Sequence, residues 1–111
     1  MKLLPNAIIA REKLTQYLLV FKKRNDKSRW LAEAGYSTEN WHILEHDLRT
    51  QILSLDAEPA DTTPYGQTYA ITGQLTGPNE KILSVQTIWM TESATGITKL
   101  ITMYPDKGKT P

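Results

Sequence analysis

Three groups of polar residues in this chain have types and spacings that chemistry can use. His42, His46 and Arg49 stand four and three positions apart, so on a helix they project from one face. A His-x-x-x-His pair can chelate a divalent metal. Here no glutamate stands in the metalloprotease position and no third strong ligand is evident, so no metal is expected. Two solvated histidines are the plainer reading, with acid–base work beside it because imidazole titrates near neutrality. Asp26, Lys27 and Arg29 form a compact group at a helix start, where backbone N–H groups and the two cations can hold a phosphate. Capping plus solvation explains the same residues. Thr102 and Tyr104 alternate on a strand and can present hydroxyls from an open sheet face, with Thr68 and Thr72 alongside. Threonine and tyrosine are also simply good strand residues.

Other chemistries are absent. There is no cysteine, hence no disulfide, no thiolate nucleophile and no Cys-based zinc site. There is no P-loop, no Gly-rich nucleotide loop and no GxSxG, so no cofactor is implied. Net charge is +1 over 111 residues. Up to Leu53 nine Lys/Arg face six Asp/Glu, and from Ser54 onward four face six, so the halves carry +3 and −2. The excess sits in KKRNDKSR (22–29), a phosphate-binding candidate or a solvated loop between helices. MKLLPNAIIAREK is too short and too interrupted for a signal peptide, and no apolar run approaches the roughly 20 residues of a membrane span. A soluble cytoplasmic protein of one domain, residues 1–111, is expected.

The elements that must position these residues follow from periodicity. Ile8 and Ile9 are either a short edge strand or the lead-in to a helix. Leu14, Tyr17, Leu18 and Phe21 recur at three and four, an apolar stripe on a helix from Ala10 to about Val20. Asp26 caps a short helix, Lys27–Ala34, that stops at Gly35. Ser37 or Thr38 caps a third helix bearing Trp41, Leu44, Leu48, Ile52 and Leu55 on one side. Asp56–Pro64, acidic and twice broken by proline, reads as a linker. Gln67–Leu75 alternates, with Tyr69, Ile71 and Leu75 on one face. TGPNE makes a hairpin turn in which Glu80 takes a place glycine more often fills. Ile82–Met90 reads as a strand buried on both faces. Ile97–Tyr104 alternates again, with Ile97, Lys99, Ile101 and Met103 on one side and Thr98, Leu100, Thr102 and Tyr104 on the other. Trp30, Trp41 and Trp89 are assigned to packing, and DKGKTP to a frayed tail. The fold class expected is α+β. Three N-terminal helices (about 7–55) pack on a C-terminal antiparallel meander of three to four strands (about 66–105).

The succession DKSRWLAEAGY, ENWHILEHDLR, YGQTYAITGQLTGPN, TIWMT and TKLITMYPDK resembles an uncharacterised family of small bacterial proteins, well represented in cyanobacteria. Similar domains occur alone, beside a small barrel-like partner protein, and at the C-terminal ends of large secreted toxins. That arrangement is similar to the barnase- and RelE-like ribonuclease toxins, which also place helices before a four-stranded antiparallel sheet carrying the active site. The resemblance implies a metal-independent endoribonuclease of toxin–antitoxin type, with RNA as substrate and a small cognate protein as partner. Lys27, Thr102 and Tyr104 then become candidate catalytic residues, and Arg29, His46 and Arg49 candidate substrate-binding residues. The other reading is a non-enzymatic domain whose sheet edge or open face binds another protein. Convergence of Lys27, Arg29 and Tyr104 separates the two.

Overall fold

The computed structural model describes residues 1–20, 23 and 27–106. Its helical layer precedes its sheet. Helix α1 (Arg11–Lys13) runs into a π-helical turn (Leu14–Leu18), and α2 (Ser28–Ala32) follows. A 3₁₀ turn (Thr38–Asn40), α3 (Trp41–Asp47) and a second π-helical turn (Leu48–Ile52) form one continuous helical stretch. Both wide turns close with an i→i+5 bond, Leu19 N–H to Leu14 O and Leu53 N–H to Leu48 O. Such turns re-aim the side chains that follow them. Ser37 caps the third stretch: its N–H donates to Asn40 Oδ1 at 2.7 Å, a capping box with asparagine in the usual acidic place. Phe21, Asp26 and the tail beyond Asp106 lie outside the described residues. No helix among the described residues is long and apolar enough to cross a membrane.

Strands β1 (Glu58–Thr63), β2 (Gly66–Thr76), β3 (Ile82–Glu92) and β4 (Thr98–Pro105) form one antiparallel sheet in chain order. The architecture is α+β, with a four-strand meander. The stretch expected to be a linker is β1. Its six residues are almost all exposed, so burial imposes no alternation on them, and an edge strand accommodates Pro59. Between Pro59 and Thr62 two residues oppose Thr68 alone. The Thr68 hydroxyl fills that bulge, accepting from Asp61 N–H at 2.9 Å and donating to Asp61 O at 3.2 Å. Ile8, outside any strand, resolves into a single parallel bridge to Lys99 of β4.

The helices cover one sheet face. Leu14, Leu18, Leu44, Leu48 and Ile52 are fully buried against Ile71, Leu75, Val85, Trp89 and Met103. Burying each such side chain stabilises the fold by about 1.5–3 kcal/mol. Trp89 is fully buried, while Trp30 and Trp41 pack at the margin. The indole N–H of Trp89 donates to Thr87 Oγ1 at 2.8 Å, and that hydroxyl donates to Ile71 O at 3.1 Å. No polar atom of this buried pair lacks a partner. Behind α3, the Tyr36 hydroxyl donates to Asp47 Oδ2 at 2.7 Å, and Gln51 bonds both backbone groups of Thr76. The β2–β3 turn docks on the end of α2 through Asn79 Nδ2 to Glu33 O at 2.9 Å. Glu80 in this turn takes the left-handed φ of 74° that its place in TGPNE foreshadows.

Two strand expectations need correction. β3 is not buried on both faces: Leu83, Val85, Thr87 and Trp89 face the helices, while Ile88 and Met90 lie half-exposed on the other side. In β4 the alternation breaks, because Trp89 pairs with Leu100 and Ile88 with Thr102, leaving Ile101 as an extra residue. Thr98, Leu100 and Met103 therefore all turn inward. A bulge resets the two-residue period. Thr102 and Tyr104 still share the outward face.

Candidate functional site

Thr102, on the edge strand β4, meets the first helical segment. The Tyr17 hydroxyl, carried by the first π-helical turn, lies 3.3 Å from Thr102 Oγ1. Among the described residues, two cations flank the same ring: Lys13 Nζ at 5.2 Å and Lys27 Nζ at 5.5 Å from its centroid. Lys13 sits one turn before Tyr17, and Lys27 stands at the head of α2. The hydrogen bond from Thr102 is the main influence holding the Tyr17 phenol below the ordinary tyrosine value. The charge and hydrogen bonding of Lys27 and the charge of Lys13 act in the same direction, against partial burial. The result is a phenol in a cationic setting on the flank of β4, half-exposed as are Lys27 and Thr102.

Of the residues singled out in the sequence, Lys27 and Thr102 meet at Tyr17. Tyr104 lies one outward row away, paired with Gln86, where Thr102 pairs with Ile88. Arg29 is exposed on α2. Arg49 is engaged elsewhere: Nε donates to Glu45 Oε2 at 3.1 Å, and Nη1 to Ala7 O at 2.8 Å and Pro5 O at 3.3 Å. It pins the N-terminal segment to α3. His42 and His46 are exposed on α3. His42 sits edge-on to Trp41 at 5.9 Å, and the Arg11 guanidinium lies 5.3 Å from the Trp41 ring. The described residues hold no group of three or more metal-ligating side chains.

Tyr17 is the residue that sequence reasoning passed over. It falls in the stripe Leu14–Tyr17–Leu18 and reads as core. The signal that distinguishes it is chemical: a helix-stripe tyrosine carries a hydroxyl that must find a partner, here supplied from a residue 85 positions away.

A family model for a domain of unknown function, DUF6883, matches residues 2–107. The chain belongs to this family. No curated protein and no solved structure matches it. The match takes in every element of this DUF6883 domain from the first helix to β4, and with them Tyr17, Lys27 and Thr102. Chemically, the cluster combines cations that can grip an anion with a hydroxyl that ionises more readily than free tyrosine.

Proposed function

We propose that this DUF6883 domain is a metal-independent endoribonuclease module of the toxin type, held in check by a small cognate protein. The observation that carries the reading is the meeting of Lys27, Thr102 and an acidified Tyr17 on one flank of the sheet. RNA brings its own nucleophile, the 2′-hydroxyl, so the protein has three tasks: remove a proton, stabilise charge and return a proton. Tyr17 as phenolate takes the 2′-hydroxyl proton, assisted by the Thr102 hydrogen bond. The 2′-oxygen bonds to phosphorus while the bond to the 5′-oxygen breaks. Lys27 neutralises the charge that builds on the non-bridging oxygens and gives its proton to the departing 5′-oxygen. The products are a 2′,3′-cyclic phosphate and a free 5′-hydroxyl. Proton transfer from Tyr17 to Lys27 across the cluster restores the starting state. Arg29 serves the incoming chain, and Tyr104, a row away from the phenol, has a binding role.

Growth of a bacterial host on induced expression, with total RNA on a gel, tests the proposal. Wild type is expected to arrest growth and yield fragments ending in cyclic phosphate. Lys27→Ala, Tyr17→Phe and Thr102→Val, each soluble and folded, should lose at least tenfold in cleavage by the purified protein. Intact RNA at high concentrations of folded wild type would refute the activity. A non-enzymatic interaction domain is the second reading, favoured by one observation: Leu4, Ile8 and Ile97, all exposed, rim a hollow of about 270 Å³ beside the β3–β4 turn. That reading predicts normal growth and unbroken RNA.

A further inference from the structure

The polar side chains of this sheet fall into two sets. On β1 and at the β4 turn they are engaged: Thr62 with Gln67, Thr68 with Asp61, and Thr91 with Thr98 at 2.6 Å. On the outward face beside the Tyr17 cluster they are not. Thr72, Gln86 and Tyr104 stand in register across three strands, Thr72 opposite Gln86 and Gln86 opposite Tyr104. Their side chains make no hydrogen bond among the described residues, and neither do those of Gln74 and Ser84 in the adjoining row. The row is about 10 Å long, from two strand spacings of about 4.8 Å, and lies about 7 Å along β4 from Thr102.

The row is neutral, as is Ala70–Ile88–Thr102 beside it, whereas the cations sit at the flank. Bases belong on a face of this kind and phosphates at its edge. Gln86 offers a donor and an acceptor side by side, the pair that reads a base edge bidentately. Tyr104 supplies an aromatic ring on which a base can stack, with Thr72 as a further hydroxyl. A base that lies on a sheet must be unpaired and out of a helical stack.

We propose that Thr72, Gln86 and Tyr104 form the base-recognition subsite of this molecule, taking an unpaired nucleobase of single-stranded RNA whose phosphate rests on the Lys27 flank. This rests on the ribonuclease reading and adds substrate class and specificity to it. The test measures fluorescence anisotropy of the full chain with octanucleotides of each of the four bases, 2′-O-methylated so that no nucleophile is present. A 2′-O-methyl duplex of matched length is the comparison. Single strands should bind at least tenfold more tightly than the duplex. The best and worst bases should differ on the order of tenfold, as a bidentate base contact implies. Gln86→Leu should bring that ratio towards one, and Tyr104→Leu should weaken all four. Thr72→Val checks the row from β2, and thermal melts confirm that each variant is folded. Equal affinity for duplex, or an unchanged base ratio in Gln86→Leu, overturns the subsite. Cleavage of unmodified RNA separates the two ideas. Cutting with base ratios indifferent to Gln86 sinks the subsite and keeps the nuclease. Base-dependent binding without cutting does the reverse.

Discussion

Replacing Tyr36 with phenylalanine removes one oxygen from a side chain that is only 2% exposed. That oxygen donates to Asp47 Oδ2 at 2.7 Å and stands 3.4 Å from Thr76 O, so it ties α3 to the end of β2. A hydrogen bond to a charged group contributes about 1.5–3 kcal/mol. Asp47 is half-exposed and can be rehydrated, and Thr76 O keeps its 3.0 Å bond from Gln51, so the lower half of that range applies. We expect Tyr36→Phe to cost about 2 kcal/mol near neutral pH, a fall of about 10 °C in Tm for a chain of this size. The loss should also depend on pH. Burial, and after it the Asp47 hydrogen bond and charge, push the Tyr36 phenol far above its ordinary value of 10.0. Its folded value exceeds the unfolded one, so this stabilisation is complete below pH 10 and shrinks above it, where only the unfolded chain releases the proton. The slope is about 1.4 kcal/mol per pH unit. Wild type and Tyr36→Phe should therefore converge near pH ~11.5. Urea unfolding followed by tryptophan fluorescence at pH 7, 9, 10.5 and 11.5 reads the difference directly. A gap under about 0.5 kcal/mol at pH 7, within the range of ordinary surface substitutions, would refute the reasoning. So would a larger gap that stays constant to pH 11.5.

The other predictions concern the core, the turns and the phenol. Thr87→Val leaves the buried Trp89 indole N–H without its 2.8 Å acceptor, so chemical denaturation should show a loss of about 1–3 kcal/mol despite near-equal volume. Gly77→Ala sets a Cβ 2.1 Å from Ala34 O and should lower Tm well below Gly96→Ala, whose Cβ meets nothing within 4 Å. Gly96 has φ 73°, so its alanine variant should lose only about 1 kcal/mol from left-handed strain. Absorbance titration at 295 nm should contain a component below the ordinary tyrosine value that Tyr17→Phe removes and Lys27→Ala moves to higher pH. RNA cleavage by wild type should rise over the same alkaline range, and Lys13→Ala should shift that rise upward. A cleavage profile that ignores Lys13 would remove Tyr17 from the role of base.

How much of this was legible in the chain follows from the range of each signal. Helical periodicity is local, so the stripe Leu44–Leu48–Ile52 was readable, and all three side chains are fully buried. A cap at Ser37 or Thr38, of which the structure uses Ser37, and the awkward place of Glu80 were visible for the same reason: caps and turns span a few residues. Ile71 and Leu75 declared their face because one side of β2 is buried. β1 was lost because an exposed edge has no core to pattern it, and Pro59 disguised it further. The bulge at Ile101 left no mark, since an alternation of apolar and polar residues reads the same until a partner strand shows which residue is extra. The candidate site lay furthest beyond reach. Lys27 and Thr102 stand out by their chemistry, but Tyr17 joins them only where the first helical segment, the head of α2 and β4 meet. By itself the sequence determined helices before strands and the buried stripe of the third helix, because local periodicity is written along the chain. Only the tertiary structure decided which hydroxyl meets which cation, because that depends on where distant segments cross.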